Sequence, residues 1–486
     1  MASIEELRAE RIKKLEALQA AGKNPYPAIS RRTHEISDVV RSFATLLKEG
    51  VQVIISGRVM ASRGQGALAF VDLYDGSAKL QAVIKLPESS ERVMEFYRQY
   101  VDIGDFIEVT GTLFTTQSGQ ESILVTGVEM LSKALLPLPD KHKGLQDEEL
   151  RLRYRYLDIL TSPELRELFE KKAKFWDVVR SFLKDKKFLE VETPTLEVTT
   201  GGAEARPFAT HHNDFDLDVF MRISIGELWQ KRLMAAGFPK TFEIGRAYRN
   251  EGSSPDHLQE FTNCEFYMAY ADFEDGMKLV EELYRTIAKE VFGTTTFTTR
   301  GHTFDLAHDW TRIDYADEIL RQTGVDIRTA TDEDIARTLQ DLHVKYDGAN
   351  RERLTDTLWK YCRKNISGPA FLVNHPLLVA PLAKQNNDGA TAQIFQPILA
   401  GSELGKGYSE LNDPIDQRAR FQKQQELLAS GDDEAMMADD SFIEMLEHGM
   451  PPTCGFGFGD RLFAFFAGLP IRETQLFPLV KPKDSK

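Results

Sequence analysis

Phe242-Glu243-Ile244-Gly245-Arg246-Ala247-Tyr248-Arg249, then Asn250-Glu251-Gly252-Ser253-Ser254-Pro255-Asp256-His257, then Glu260-Phe261-Thr262-Asn263-Cys264-Glu265-Phe266-Tyr267-Met268, read as strand, polar loop, strand. Along the first strand, alternation puts Arg249 on one face with Ala247 and Gly245, whose lack of bulk leaves room for a ligand beside the guanidinium. A guanidinium so placed suits a carboxylate or a phosphate. On the second strand Cys264, Phe266 and Met268 form an apolar face, while Phe261, Asn263, Glu265 and Tyr267 point the other way. A carboxylate and a phenol on one open face suit a cationic substrate. The competing reading is a surface strand with ordinary polar residues.

Further along, Cys454-Gly455-Phe456-Gly457-Phe458-Gly459-Asp460-Arg461-Leu462-Phe463 alternates glycine with phenylalanine before an apolar run that reads as a helix. Three glycines on one strand face permit close ligand approach. Arg461, near the helix start, is suited to stacking on a ring or meeting a phosphate. A P-loop is excluded, because Gly401 to Gly407 has the wrong spacing and lacks the hydroxyl residue.

Around these segments, Lys240–Tyr248, Phe261–Tyr270, Ala370–Val373 and Cys454–Gly459 read as strands, and Pro163–Lys187, Phe273–Phe292 and Pro414–Ala429 as helices. This order predicts an α+β domain over residues 151–486, with an antiparallel sheet flanked by helices and a helical insertion at about 301–367. The prolines of Leu136-Pro137-Leu138-Pro139-Asp140-Lys141 mark a linker over 136–150. Within 51–135, five short runs (Val51–Ser56, Leu68–Tyr74, Lys79–Ile84, Asp105–Thr110, Ser122–Thr126) predict a five-stranded barrel of the oligonucleotide-binding (OB) type. Its Ala67, Ala69, Val71 and Leu73 make an apolar side. Phe70 lies on the other side, open to two readings: a ring that stacks on an unpaired base, or core. Gln81 points away from Leu80, Ala82 and Ile84, where it can read a base edge. Residues 1–50 are expected to form a helical extension, opened by Ser3 and Glu6 in capping-box spacing and closed by Gly22, Pro25 and Pro27.

At 486 residues the chain exceeds one ordinary core, and 42% hydrophobic with 28% charged residues is a globular balance. A formal charge of −15 argues against nucleic-acid binding through the overall field, so any RNA contact is local. The first residues show no signal peptide or membrane span, which predicts a cytoplasmic protein with no membrane partner. Cys264, Cys362 and Cys454 lie far apart without a CxxC pair, as expected of reduced, buried thiols.

The two strands and loop that open this section closely resemble the second signature motif of class II aminoacyl-tRNA synthetases, and the bacterial lysyl-tRNA synthetases fit best. The resemblance extends to Leu138–Lys141, Arg155–Asp158, Gly201–Phe208 and Ser409–Asp413. It implies two steps: activation of lysine by ATP to lysyl-adenylate with release of pyrophosphate, then transfer of the lysyl group to tRNA(Lys). It further implies that Arg249 binds the α-phosphate and the substrate carboxylate, Glu251 and His257 the nucleotide, and that Phe261 stacks on adenine, with Arg461 completing the ATP site. Glu265, Tyr267 and Glu410 would surround the lysine ammonium, Glu227 and Gly202 the α-amino group, and Tyr408 the aliphatic stem. Glu403 and Glu410 match acidic positions for Mg²⁺. Phe70 and Gln81 align with anticodon-contacting positions, and Phe188–Pro194 resembles the first motif, which builds a homodimer interface in the family.

Three departures stand out. Gln396 occupies the place of a usual third carboxylate, Lys406 that of a neutral residue in the amino-acid pocket, and Gly127 that of an anticodon-reading Glu. Lys406 is compatible with a lysine substrate if it turns toward the ATP phosphates or pairs with Glu403. Two alternatives remain: an aspartyl or asparaginyl ligase, which Glu265 and Glu410 disfavour, and a non-catalytic RNA-binding paralogue, against which Arg249, Glu251, His257 and Arg461 speak.

Overall fold

A computed structural model describes residues 3–139, 144–203, 205–252, 254, 257–346, 350–377, 380–429 and 436–482. Of the motif positions quoted above, Asp140, Lys141, Glu204, Ser253, Pro255 and Asp256 lie outside the described residues. The chain divides into two compact units, Met1–Arg151 with Tyr156–Thr161, and Leu152–Arg155 with Ser162–Lys486.

The first unit opens on helix Ile4–Ala20, capped as its spacing predicts: the Glu6 amide donates to Ser3 Oγ (3.1 Å) and the Ser3 amide to Glu6 Oε2 (2.7 Å). Arg11 on this helix donates to the carbonyls of Ile103 (2.8 Å), Ala134 (3.1 Å) and Leu136 (2.9 Å), which seats the helix on the barrel. The barrel runs Gln52–Gln65, Leu68–Tyr74, Lys79–Lys85, Glu121–Ser132 and Phe106–Thr115, the last closing onto the first. Neighbours are antiparallel except Lys79–Lys85 with Glu121–Ser132. Ala69, Val71 and Leu73 point inward as their alternation requires, and Phe70 is half-buried on the outer face.

In the second unit a nine-stranded sheet has the order Thr311–Asp314, Ala370–Pro376, Thr391–Leu399, Lys406–Ser409, Thr453–Gly459, Glu260–Ala269, Lys240–Tyr248, Leu189–Glu190, with Ser402–Glu403 added beside Thr391–Leu399. Both edge pairs are parallel, so the expected antiparallel sheet is mixed at its rims and antiparallel through its centre. Helix Pro163–Asp185 buries Phe175, Val179, Phe182 and Leu183, and helix Phe273–Ile287 buries Met277, Val280, Leu283 and Tyr284. Both fill one core with the sheet residues Phe242, Phe266, Phe395, Phe456 and Phe458. Phe395 and Phe456 stack with centroids 5.4 Å apart. The polar stretch near 301–367 carries helices Tyr315–Thr323, Asp332–Asp341 and Arg351–Cys362 around a core of their own, yet its strand Thr311–Asp314 joins the main sheet. All three cysteines are buried and unbonded.

Candidate active site

Thr453–Gly459 lies between Glu260–Ala269 and Lys406–Ser409, and its register sets the site. Gly455 faces Tyr267 on one side and Tyr408 on the other, Gly457 faces Glu265 and Lys406, and Gly459 faces Asn263. Phe456 and Phe458 take the opposite face into the core. The glycine face becomes the floor of a cavity of about 490 Å³. It is lined by the residues singled out for nucleotide binding (Arg249, Glu251, His257, Phe261, Glu403, Arg461) and by those for the amino acid (Gly202, Glu227, Glu265, Tyr267, Tyr408, Glu410). Gln396 and Lys406 line it as well.

At the deep end, Glu265 and Tyr267 are 6% and 3% exposed, so the expected open strand face is enclosed. Tyr267 packs among Leu228, Leu382, Phe421 and Phe442, which cover a face that strand alternation alone leaves open. Glu265 Oε1 accepts from the Ile225 amide (2.8 Å), and Oε2 from Tyr267 Oη (3.0 Å). Burial, with Glu227 nearby, pushes the Glu265 carboxyl up to about 7. Burial pushes Glu410 up to about 8, against the pull of Lys231, whose ammonium lies 2.6 Å from Oε2. Glu410 Oε1 has no hydrogen-bond partner among the described residues. Glu227 Oε1 takes Lys231 Nζ at 2.8 Å and the Tyr408 hydroxyl. Gly202 has φ +88°, and a Cβ there would sit 2.7 Å from Glu227 Oε2, so glycine is required twice over.

Toward the mouth, Arg249 follows the end of its strand, with Nε donating to the Ile223 carbonyl (3.2 Å) and its guanidinium 5.3 Å from the Phe261 ring centre. Burial lowers its pKa, opposed by Glu251 and Glu265. Gly245 does not leave room for a ligand there. A side chain at Gly245 would strike Arg222, which pairs with Glu243 at 2.6 Å and fills the space beside the strand. His257 is exposed and meets Ser254 Oγ at 2.7 Å. Arg461 is exposed in the first turn of helix Asp460–Ala467.

Glu403 accepts from Trp359 Nε1 at 2.6 Å and faces Arg363 at 3.4 Å; the alternative pairing with Lys406 is not formed. Lys406 makes no ion pair among the described residues. Gln396 Oε1 lies 2.6 Å from His375 Nε2, and burial drives that imidazole down to about 3, so it is neutral. In the barrel, Gln81 departs from its expected role at an open surface: it is 8% exposed and its Oε1 accepts from Ser122 Oγ (3.1 Å), the residue opposite it in the neighbouring strand. Phe70 remains half-buried, with the Arg63 guanidinium 5.8 Å from its ring centre. The residue missed from sequence is Lys231. Its one signal is the Glu-x-x-x-Lys spacing from Glu227, which puts both on one helix face.

The fold is that of a class II aminoacyl-tRNA synthetase. The family model described as "tRNA synthetases class II (D, K and N)" matches residues 147–481, and "OB-fold nucleic acid binding domain" matches 53–131. The lysine--tRNA ligase of Roseiflexus sp. (strain RS-1) is 42% identical over 99% of this chain and 100% of its own length. That of Thermotoga maritima is 40% identical over 99% and 97%, and that of Shouchella clausii 42% over 99% and 97%. The chain belongs to the lysine--tRNA ligase family of class II synthetases.

The glycine floor yields a direct test. A methyl group at Gly455 would collide with Glu410 Oε1 and the Tyr267 ring. Gly455→Ala is expected to weaken binding of an ammonium ligand by ~tenfold or more, since the displaced carboxylate loses its charge-assisted contact. Calorimetric titration with lysine checks this; an unchanged Kd would mean the deep end is not the ligand's seat.

Proposed function

We propose that the cavity activates lysine with ATP and that the enzyme then transfers the lysyl group to tRNA(Lys). The observation that carries the reading is the convergence, in one cavity, of an enclosed set of carboxylates with a half-buried arginine beside an aromatic ring. Glu265, Glu410 and Tyr267 offer acceptors to the side-chain ammonium, and Glu227 with Gly202 receives the α-amino group. Tyr408 packs along the methylenes between them. Arg249 then holds the lysine carboxylate against the ATP α-phosphate, with adenine on Phe261 and the phosphates within reach of Glu251, His257 and Arg461.

The lysine carboxylate oxygen attacks the α-phosphorus in line with departing pyrophosphate, giving lysyl-adenylate; a ribose hydroxyl at the tRNA 3′ end then attacks the acyl carbon and AMP leaves. No group of the chain becomes covalently attached. Its contribution is orientation and charge neutralisation by Arg249 and Arg461 in a partly dehydrated site. Lys406, opposite Gly457 and without an ion pair among the described residues, would add a third cation at the phosphates, a role compatible with a lysine substrate.

Mg²⁺ is usually bound by one or two carboxylates together with phosphate oxygens and water. Glu403, half-buried on the cavity wall, suits that sparse set, and the ion would supply charge neutralisation at the phosphates. Glu410 suits the amino-acid ammonium better than a metal, because its oxygens are enclosed beside Lys231. Among the described residues no three His, Cys, Asp or Glu side chains cluster as a ready-made cage. The barrel is the proposed anticodon-reading domain, with Phe70 as the stacking ring. A homodimer built on Phe188–Pro194 and a cytoplasmic location complete the proposal. Among the described residues no helix is long and apolar enough to cross a membrane.

Arg249→Ala is expected to reduce lysine-dependent pyrophosphate exchange by ~10²-fold or more; retention within a few-fold would remove Arg249 from the chemistry. Phe70→Ala is expected to weaken tRNA charging by ~tenfold, the worth of one stacked base, with exchange intact. Equal loss of both would make Phe70 structural. Lysine binding should also be linked to protons. Glu265 and Glu410, raised to about 7 and about 8, hold protons in the empty pocket at pH 7 and must release them to an arriving ammonium. Affinity therefore tightens from pH 6 toward ~8.5, and calorimetry at pH 7 in buffers of different ionisation enthalpy reads net proton release. The same raised values mean that the empty enzyme loses stability as pH climbs from ~4.5 through this range, since the folded state binds more protons there. Proton uptake, or affinity that weakens with pH, would oppose the assignment.

A further inference from the structure

Lys231 is 1% exposed, on the helix Glu227–Ala235 that walls the deep end of the cavity. Its ammonium lies 2.8 Å from Glu227 Oε1 and 2.6 Å from Glu410 Oε2, joining a helix to a segment far along the chain. The ammonium also sits 5.4 Å from the ring centre of Tyr408 and 5.9 Å from that of Phe442. Burial opposes its charge, yet Glu227 and Glu410 raise its pKa, so it is cationic. The groups that bear on it are thus Glu227 on its own helix, Glu410 and Tyr408 from the sheet, and, through these carboxylates, Glu265 and Tyr267 on the adjacent strand.

An uncompensated carboxylate in such an enclosure takes a proton rather than remain charged. Three carboxylates, Glu227, Glu265 and Glu410, face the deep end, with Lys231 the resident cation among them. A free lysine brings two ammonium groups, and its own carboxylate is met by Arg249. With Lys231 in place, those two ammonium groups balance the two remaining carboxylates; without it, one carboxylate would stay unbalanced. We infer that Lys231 is a positioning residue of the amino-acid pocket, a built-in ammonium that bridges Glu227 and Glu410, holds both carboxylates where they face the cavity, and leaves the deep end room for the two cations that one lysine brings. Lys231 touches no substrate; it acts through the two glutamates. The inference rests on reading this cavity as the lysine site.

The test uses the full-length enzyme in pyrophosphate exchange, with K231M, which keeps length and loses charge, and K231R, which keeps charge. For K231M the KM for lysine is expected to rise by ~tenfold or more at pH 7, as Glu227 and Glu410 lose the cation that bridges them and an uncompensated buried carboxylate takes a proton. It should recover as pH rises toward ~9, with the KM for ATP unchanged; K231R should keep the parent's pH profile. Should K231M fold poorly, the Tm rise that lysine gives K231Q at pH 7 and at pH 9 supplies the same comparison. A lysine KM within twofold of the parent, or one that shifts without pH dependence and in step with the KM for ATP, would overturn the role and leave Lys231 a packing residue. Absence of any lysine response in the unmutated enzyme would instead sink the lysine reading itself, so the two failures are distinguishable.

Discussion

The strand Thr453–Gly459 serves two masters, and its alternation of glycine and phenylalanine reconciles them. On one face Phe456 and Phe458 join Phe266, Phe395 and Tyr284 in the core of the second unit. On the other, glycines at 455, 457 and 459 let Glu410, Tyr267, Glu265 and Asn263 approach the backbone itself. Three glycines in a central strand cost conformational entropy and supply nothing to pack. The aromatic face offsets that cost, with rings large enough that each buries far more surface than an average strand residue. Cavity and core are therefore two sides of one strand, and neither can be altered without the other.

Buried charges in this unit fall into two groups that differ in how completely they are satisfied. Glu243 is saturated: it accepts from Arg222 at 2.6 Å and from the amide and hydroxyl of Thr193 at 3.0 and 2.7 Å, so it fixes the strand against the segment before it. Glu410 is not. One of its oxygens lacks a hydrogen-bond partner, and its carboxyl is held well above the usual carboxylate range. A saturated carboxylate serves the fold, whereas an unsatisfied one on a cavity wall is a candidate to meet a ligand.

What the sequence makes legible follows from its periodicities. Alternation over Leu68–Tyr74, Lys240–Tyr248 and Cys454–Gly459 fixes strands and faces, and the helices Pro163–Asp185, Phe273–Ile287 and Pro414–Ala429 fall where their patterns put them. Periodicity says which side a residue points to, not what covers that side. Glu265 and Tyr267 read as an open face because Leu228, Leu382, Phe421 and Phe442, which enclose Tyr267, come from segments far from their strand. Gly245 reads as an opening for the same reason, since Arg222, which fills it, is on another segment. Gln81 is claimed by Ser122 only once the parallel register between their strands is known. Lys231 was invisible because its meaning depends on Glu410, 179 positions away.

On the proposed reading, these contacts also separate selectivity from chemistry along the depth of the cavity. Groups at the mouth, His257, Arg461 and Lys406, are exposed, so water screens them and they attract phosphate without discriminating finely. Groups at the deep end are dehydrated, and there a charge of the wrong sign or number has no water to fall back on. A substrate lacking one ammonium would leave a carboxylate unpaired or protonated, and one carrying a side-chain carboxylate would face Glu265 and Glu410 directly. Discrimination by such mismatches is steeper than discrimination by size, because an unpaired buried charge costs more than a missing methylene. The carboxylates proposed to choose the amino acid, Glu227, Glu265 and Glu410, are accordingly among the most enclosed groups in the site, and they are drawn from three segments that only the fold brings together.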